Sequence, residues 1–168
     1  MRNPLHPAGA ALVAAAAFWV ASPTAPNAQE SNSFRPVTDA MLQDPAPKDW
    51  LMWRRTLDSW GYSPLDQVDR NNVKDLRMVW SRGLTTGRQQ GTPLVYDGVM
   101  YMPNPADVIQ AIDAVTGDLV WEHRREVPDD IEEYVFNNLW QNNRNIAIYG
   151  SRIIDTSVDD HIFALDVN

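Results

Sequence analysis

Few residues in this chain combine a reactive type with a spacing that chemistry needs. Arg144 carries a permanent charge on a planar fork of donors, a group suited to gripping a flat anion. By spacing alone it reads as a surface arginine paired with one of the many acids nearby. Gln90 offers one acceptor and two donors from a polar loop, and by itself reads as a loop amide bonded to backbone. His123 and His161 lie far apart with no third candidate ligand, so they read as structural residues on strands. Asp113 and Asp118 are accounted for by turn chemistry, and Asp159-Asp160 by a hairpin; no EF-hand loop is present. The run Asp129 to Glu133 reads as a solvated acidic loop. With no cysteine there is no disulfide, no thiolate metal site and no haem attached through C-x-x-C-H. No catalytic residue and no metal ligand is assigned on this basis.

The elements that must position Gln90 and Arg144 read as all-β. At 168 residues the length fits one domain, and seven Trp is high for that length. A formal charge of −8 argues against binding nucleic acid or an anionic membrane surface. Arg2 and His6 precede an Ala-rich apolar run from Ala8 to Ala21, and small residues follow up to Ala28. That order predicts a secretory signal peptide over 1–28, and hence a periplasmic protein, with no membrane span after its removal. Residues 29–48 are polar and Pro-rich and predict an extended lead-in, with one short helix from Thr38 as N-cap through Gln43.

From Asp49 to Pro64 the chain holds Trp50, Trp53, Trp60 and Tyr62 without clean periodicity. The plain expectation is an irregular segment packing its rings against a sheet edge. Leu76 to Ser81 is expected as a first strand, one that would pair with a blade not present in these residues, and Gly83 to Gly91 as a polar loop. Then Pro93 to Tyr96 and Val99 to Met102 flank the hairpin signal Asp97-Gly98, and Val108 to Asp113 and Leu119 to Arg124 flank a tight turn at Asp113, Thr116 and Gly117. These make one antiparallel sheet of propeller-blade size. Glu126 to Asn143 interrupts it. Asn145 to Tyr149, Arg152 to Asp155 and His161 to Asp166 restart the pattern.

Ala164-Leu165-Asp166 repeats Ala111-Ile112-Asp113 at 53 residues (164 minus 111), and the same spacing aligns Met100-Tyr101 with Ile153-Ile154. Four-stranded repeats cannot hide both faces alone, so they stack, and tight hairpins with a long lead-in suit a β-propeller. Trp121 is expected to dock on the neighbouring blade. The copy stops at Asn168, before a matching Thr-Gly and Trp, so the chain is expected to be the N-terminal part of a longer propeller.

The stretch A-I-D-A-V-T-G-D-L-V-W, Ala111 to Trp121, resembles the tryptophan-docking repeat of quinoprotein dehydrogenases, whose propeller has eight blades. Gly61 to Leu65 with Asn72 to Leu76 and Val79-Trp80, then Gln90 to Val95 with Asp97 to Tyr101, and Asn143 to Ala147 resemble segments of the pyrroloquinoline quinone (PQQ)-dependent alcohol and methanol dehydrogenase family. The resemblance covers most of residues 49–168 in order. It implies PQQ as cofactor, with Arg144 and Gln90 as cofactor-binding residues, and hydride transfer from an alcohol, yielding an aldehyde or ketone. It implies a calcium or lanthanide ion whose ligands, like the catalytic base, lie beyond residue 168. It implies a cytochrome c or a fused haem domain as electron acceptor. Two departures stand out: Gln90 replaces the Glu of many relatives, and Asn138-Leu139 stands where many carry adjacent cysteines. The alternatives are a non-enzymatic propeller scaffold built of the same repeat, or an inactive truncated product. The 168 residues alone are expected to bind no quinone tightly and to fold poorly.

Overall fold

The computed structural model describes residues 34–135 and 144–168. The signal peptide expected over 1–28 and the Asn138-Leu139 pair lie outside the described residues. Among the described residues seven strands form two antiparallel sheets. The first holds β1 (Leu94–Tyr96), β2 (Val99–Asn104), β3 (Val108–Asp113) and β4 (Leu119–Arg124), in that order. The second holds β5 (Ala147–Tyr149), β6 (Arg152–Thr156) and β7 (Ile162–Asp166). The strand expectations from Pro93 onward are met within a few residues.

Turn chemistry explains the hairpins. Asp97 and Gly98 both have positive φ (49° and 81°), the conformation a two-residue hairpin needs to match strand twist. After β3, the Asp113 carboxylate accepts from the amides of Val115 (2.8 Å) and Thr116 (2.9 Å), which holds it below the usual carboxylate range. Thr116 Oγ1 donates to Asp118 (2.8 Å), and Gly117 turns at φ 78°. A bulge between Ala111 and Ile112 then shifts the β3–β4 register and leaves Leu119 and Val120 both exposed.

The repeat holds pair by pair. Leu94 faces Tyr101 and Ala147 faces Ile154; Tyr101 faces Ala111 and Ile154 faces Ala164; Val99 faces Asp113 and Arg152 faces Asp166. Each second pair is the first advanced by 53 residues. The turn repeats as well, since Asp166 accepts from the Asn168 amide (2.9 Å) as Asp113 does from Val115.

One core joins both sheets, with Tyr101, Ile109 and Ala111 of the first packed with Ile148, Ile153 and Val167 of the second. Trp121 closes the contact as expected: its indole N–H donates to the Val167 carbonyl (2.8 Å) and its ring lies 6.0 Å from that of Tyr101. Trp80 makes the equivalent contact one step earlier. Its indole donates to the Ala114 carbonyl (3.1 Å), and a Cβ on Gly117 would meet its ring at 2.6 Å.

Two expectations need correction. Leu76 to Ser81 is not a strand. A single 3-10 turn (Val73–Asp75) precedes it, and Met78 and Val79 are exposed. A strand exists through the ladder it shares with a neighbour, and among the described residues no backbone pairs with this stretch. Only Trp80 docks. The aromatic segment is irregular as expected, but Trp53, Trp60 and Tyr62 are exposed rather than packed. Its anchors are Leu51, which is buried, and Trp50, whose backbone exchanges two hydrogen bonds with Val95 on the β1 edge (2.8 and 2.9 Å).

The short helix expected within the lead-in forms. Thr38 caps α1 (Asp39–Gln43) by accepting from the Met41 amide. Val37 exchanges backbone hydrogen bonds with Gly150, in the β5–β6 hairpin. Within the insertion, a four-residue helix α2 (Ile131–Tyr134) buries Ile131.

Candidate functional site

The loop before β1 and the approach to β5 bring the two candidate residues together. Arg144 Nε donates to Gln90 Oε1 at 3.0 Å, across 54 positions of sequence. The backbones are joined too, by the Thr92 amide donating to the Arg144 carbonyl (2.9 Å). Both side chains belong to exposed residues. Among the described residues no carboxylate lies in ion-pair range of Arg144.

Gln90 is held from both flanks. Gln89 Nε2 donates to the Pro103 carbonyl (2.7 Å). Gly91 lies so close to β2 that a Cβ would sit 2.5 Å from that same oxygen and 2.7 Å from the Pro103 ring. An arginine N–H needs an acceptor, so the oxygen end of Gln90 faces Arg144 and the amide's NH2 points elsewhere. The result is a cationic planar donor beside a neutral amide, with no net negative charge in the pair.

The remaining titratable residues do not assemble with this pair. His161 Nδ1 lies 3.2 Å from Asp159, and the His123 ring lies 5.9 Å from Phe163. Among the described residues no group of three or more His, Cys, Asp or Glu is arranged to hold a metal ion. A separate polar cluster, not anticipated from sequence, links the two sheets. Arg125 donates to Ser157 (2.8 Å) and to Asp159 (2.7 Å), Ser157 donates to Asp107, and Arg125 lies 3.8 Å from Asp107. Arg125 and its neighbours hold Asp159 at a pKa of about 2, while burial pushes Asp107 up. The cluster's cation is matched by two carboxylates, so it serves to join sheets.

A family profile described as the PQQ β-propeller domain of glucose/ethanol/alcohol dehydrogenases matches residues 50–168. The chain belongs to the PQQ-dependent alcohol dehydrogenase family. The dehydrogenase subunit of the quinone alcohol dehydrogenase of Gluconacetobacter polyoxogenes is 38% identical over 124 residues, covering 73% of this chain and 16% of that protein. The quinohemoprotein alcohol dehydrogenase ADHIIG of Pseudomonas putida superposes with a TM-score of 0.70 at 30% identity, over 80% of this chain and 20% of that one. A europium-containing methanol dehydrogenase gives 0.62 at 27% identity, over 74% and 22%. The chain therefore spans about a fifth of the length of these family members, and its two sheets are part of a propeller.

Sequence reasoning named Gln90 and Arg144 but missed Gln89, which carries no motif of its own. It placed Trp80 on a strand and missed its dock. The signal for the dock is a Trp preceding the first sheet as Trp121, itself on β4, precedes the second.

Proposed function

We propose that the complete protein carrying this chain is a PQQ-dependent alcohol dehydrogenase, with Arg144 and Gln90 holding the quinone. The observation that carries this is the Arg144–Gln90 hydrogen bond: two residues far apart in sequence converge on an exposed patch, with no carboxylate on the guanidinium among the described residues. The donor set fits the group. A planar, multiply anionic tricycle needs positive charge and hydrogen-bond donors at its rim, and the pair provides both.

When bound, the quinone would supply a carbonyl that accepts a hydride from an alcohol carbon, polarised by a calcium or lanthanide ion. The residues of this chain bind and orient. Arg144 neutralises a carboxylate or polarises an oxygen. Gln90 fixes the guanidinium plane through Nε and presents its own NH2 as a second donor. Because Gln90 is neutral, the guanidinium keeps its full charge for the ligand. The base and the metal ligands are assigned to residues outside these 168. The metal proposal draws support from the likeness to a europium-containing methanol dehydrogenase, and the haem or cytochrome acceptor from the likeness to a quinohemoprotein. Export to the periplasm rests on residues 1–28, and a mature N-terminus at Gln29 is the result expected from terminal sequencing.

The test is titration of the complete apo-protein with PQQ and calcium, followed by dye-linked oxidation of short alcohols. Arg144→Ala is expected to weaken quinone binding on the order of 100-fold, the loss of charge-assisted hydrogen bonds. A complete protein that takes up no quinone would sink the reading.

A further inference from the structure

We infer that Gln89 is a positioning residue for the quinone-binding pair, acting through a clamp on Pro103. The inference rests on the reading of Gln90 and Arg144 given above. Pro103 is fully buried within β2, opposite Ile109, and as a proline it has only a carbonyl to offer. Gln89 takes that carbonyl at 2.7 Å. Two residues on, Gly91 presses its backbone against the same oxygen, where any larger residue would collide. Gln90 lies between these two anchors. On its far side the loop is tied to Arg144 twice, through the Gln90 side chain and through the Thr92 amide. The loop thus spans from β2 of the first sheet to the start of the second, and Gln89 is its only side-chain hydrogen bond to β2 among the described residues. Without it, Gln90 would keep its partner but lose its fixed place relative to the sheet.

The experiment is quinone titration of the complete protein and its Gln89→Met variant, which keeps the length of the side chain and removes the donor. Affinity is expected to fall about fivefold, the order of one neutral hydrogen bond. The same substitution in a Gln90→Ala background is expected to cost less than about twofold, because nothing is left to position. Equal losses in both backgrounds, or no loss in either, would overturn the role. Hydrogen exchange at the Thr92 amide gives a readout independent of ligand, and it should quicken in Gln89→Met. Should the wild-type protein bind no quinone, the quinone reading falls and the exchange result alone decides the clamp. Faster exchange at Thr92 keeps it, and unchanged exchange removes it.

Discussion

The first and second sheets share one register yet are held in different ways. In the first, β3 has neighbours on both sides and is buried from Val108 to Ile112. In the second, among the described residues, the equivalent β7 pairs with β6 alone, and its residues alternate between exposed and half-buried. The first sheet's turn is covered by Trp80, and the second receives Trp121. The difference teaches that a second pairing strand is what buries β3, while the Trp docks, common to both sheets, are what tie one unit to the next. The docks are therefore where a single substitution reaches beyond its own sheet.

Breaking the Trp121 dock is expected to have the largest effect. Trp121→Ala should cost the complete protein about 4 kcal/mol in urea unfolding, from lost ring packing and the freed Val167 carbonyl. Trp121→Phe should cost less than half of that. Next, Arg125→Met should cost about 2 kcal/mol, because it removes the one cation facing the carboxylates of Asp107 and Asp159 in this cluster. A smaller loss, about 1 kcal/mol, is expected for Gly117→Ala. The residue sits at φ 78° under the Trp80 ring, so a Cβ there meets both backbone strain and the ring at 2.6 Å while the indole dock of Trp121 stays intact. If Gly117→Ala proves more costly than Trp121→Ala, the ranking of the two docks is reversed.

Acid should sharpen the same contrast with a gentler effect. Arg125 depresses the Asp159 pKa to about 2, below its ordinary 3.8. The stability this contributes is complete above pH 3.8 and is lost as pH falls through about 2. Asp107, raised by burial, has the opposite sign: its proton binds more tightly in the folded state, which favours folding as pH falls. Asp113 and Asp166, lowered by turn amides, act alike in both sheets. Denaturation midpoints between about pH 5 and pH 2 should therefore fall less steeply in Asp159→Asn than in the parent. Equal slopes would mean that the sheet-joining cluster does not govern the acid limb.

The legible parts of the fold were those whose causes are local. Asp97-Gly98, Asp113-Val115-Thr116-Gly117 and the Thr38 cap are each settled within four residues, and the repeat is a comparison of the chain with itself. Leu76 to Ser81 forms no ladder among the described residues, because the partner expected for it belongs to another blade. Trp53 and Trp60 misled, since an apolar ring predicts burial without saying what covers it. At the candidate site, resemblance pointed to Gln90 and Arg144. Their meeting depends on where β1 and β5 place two loops, and no spacing rule encodes that. Gln89 and the Arg125 cluster were illegible for the same reason: their partners stand 14 to 50 residues away with no periodic mark.

The bridges of Trp50 with Val95 and of Val37 with Gly150 close loops of 45 and 113 residues (95 minus 50 and 150 minus 37). Loop-closure entropy grows only with the logarithm of length, so the longer tie costs about 0.8 kcal/mol more than the shorter. One continuous stretch of chain is thereby fastened to both sheets at little extra entropic cost.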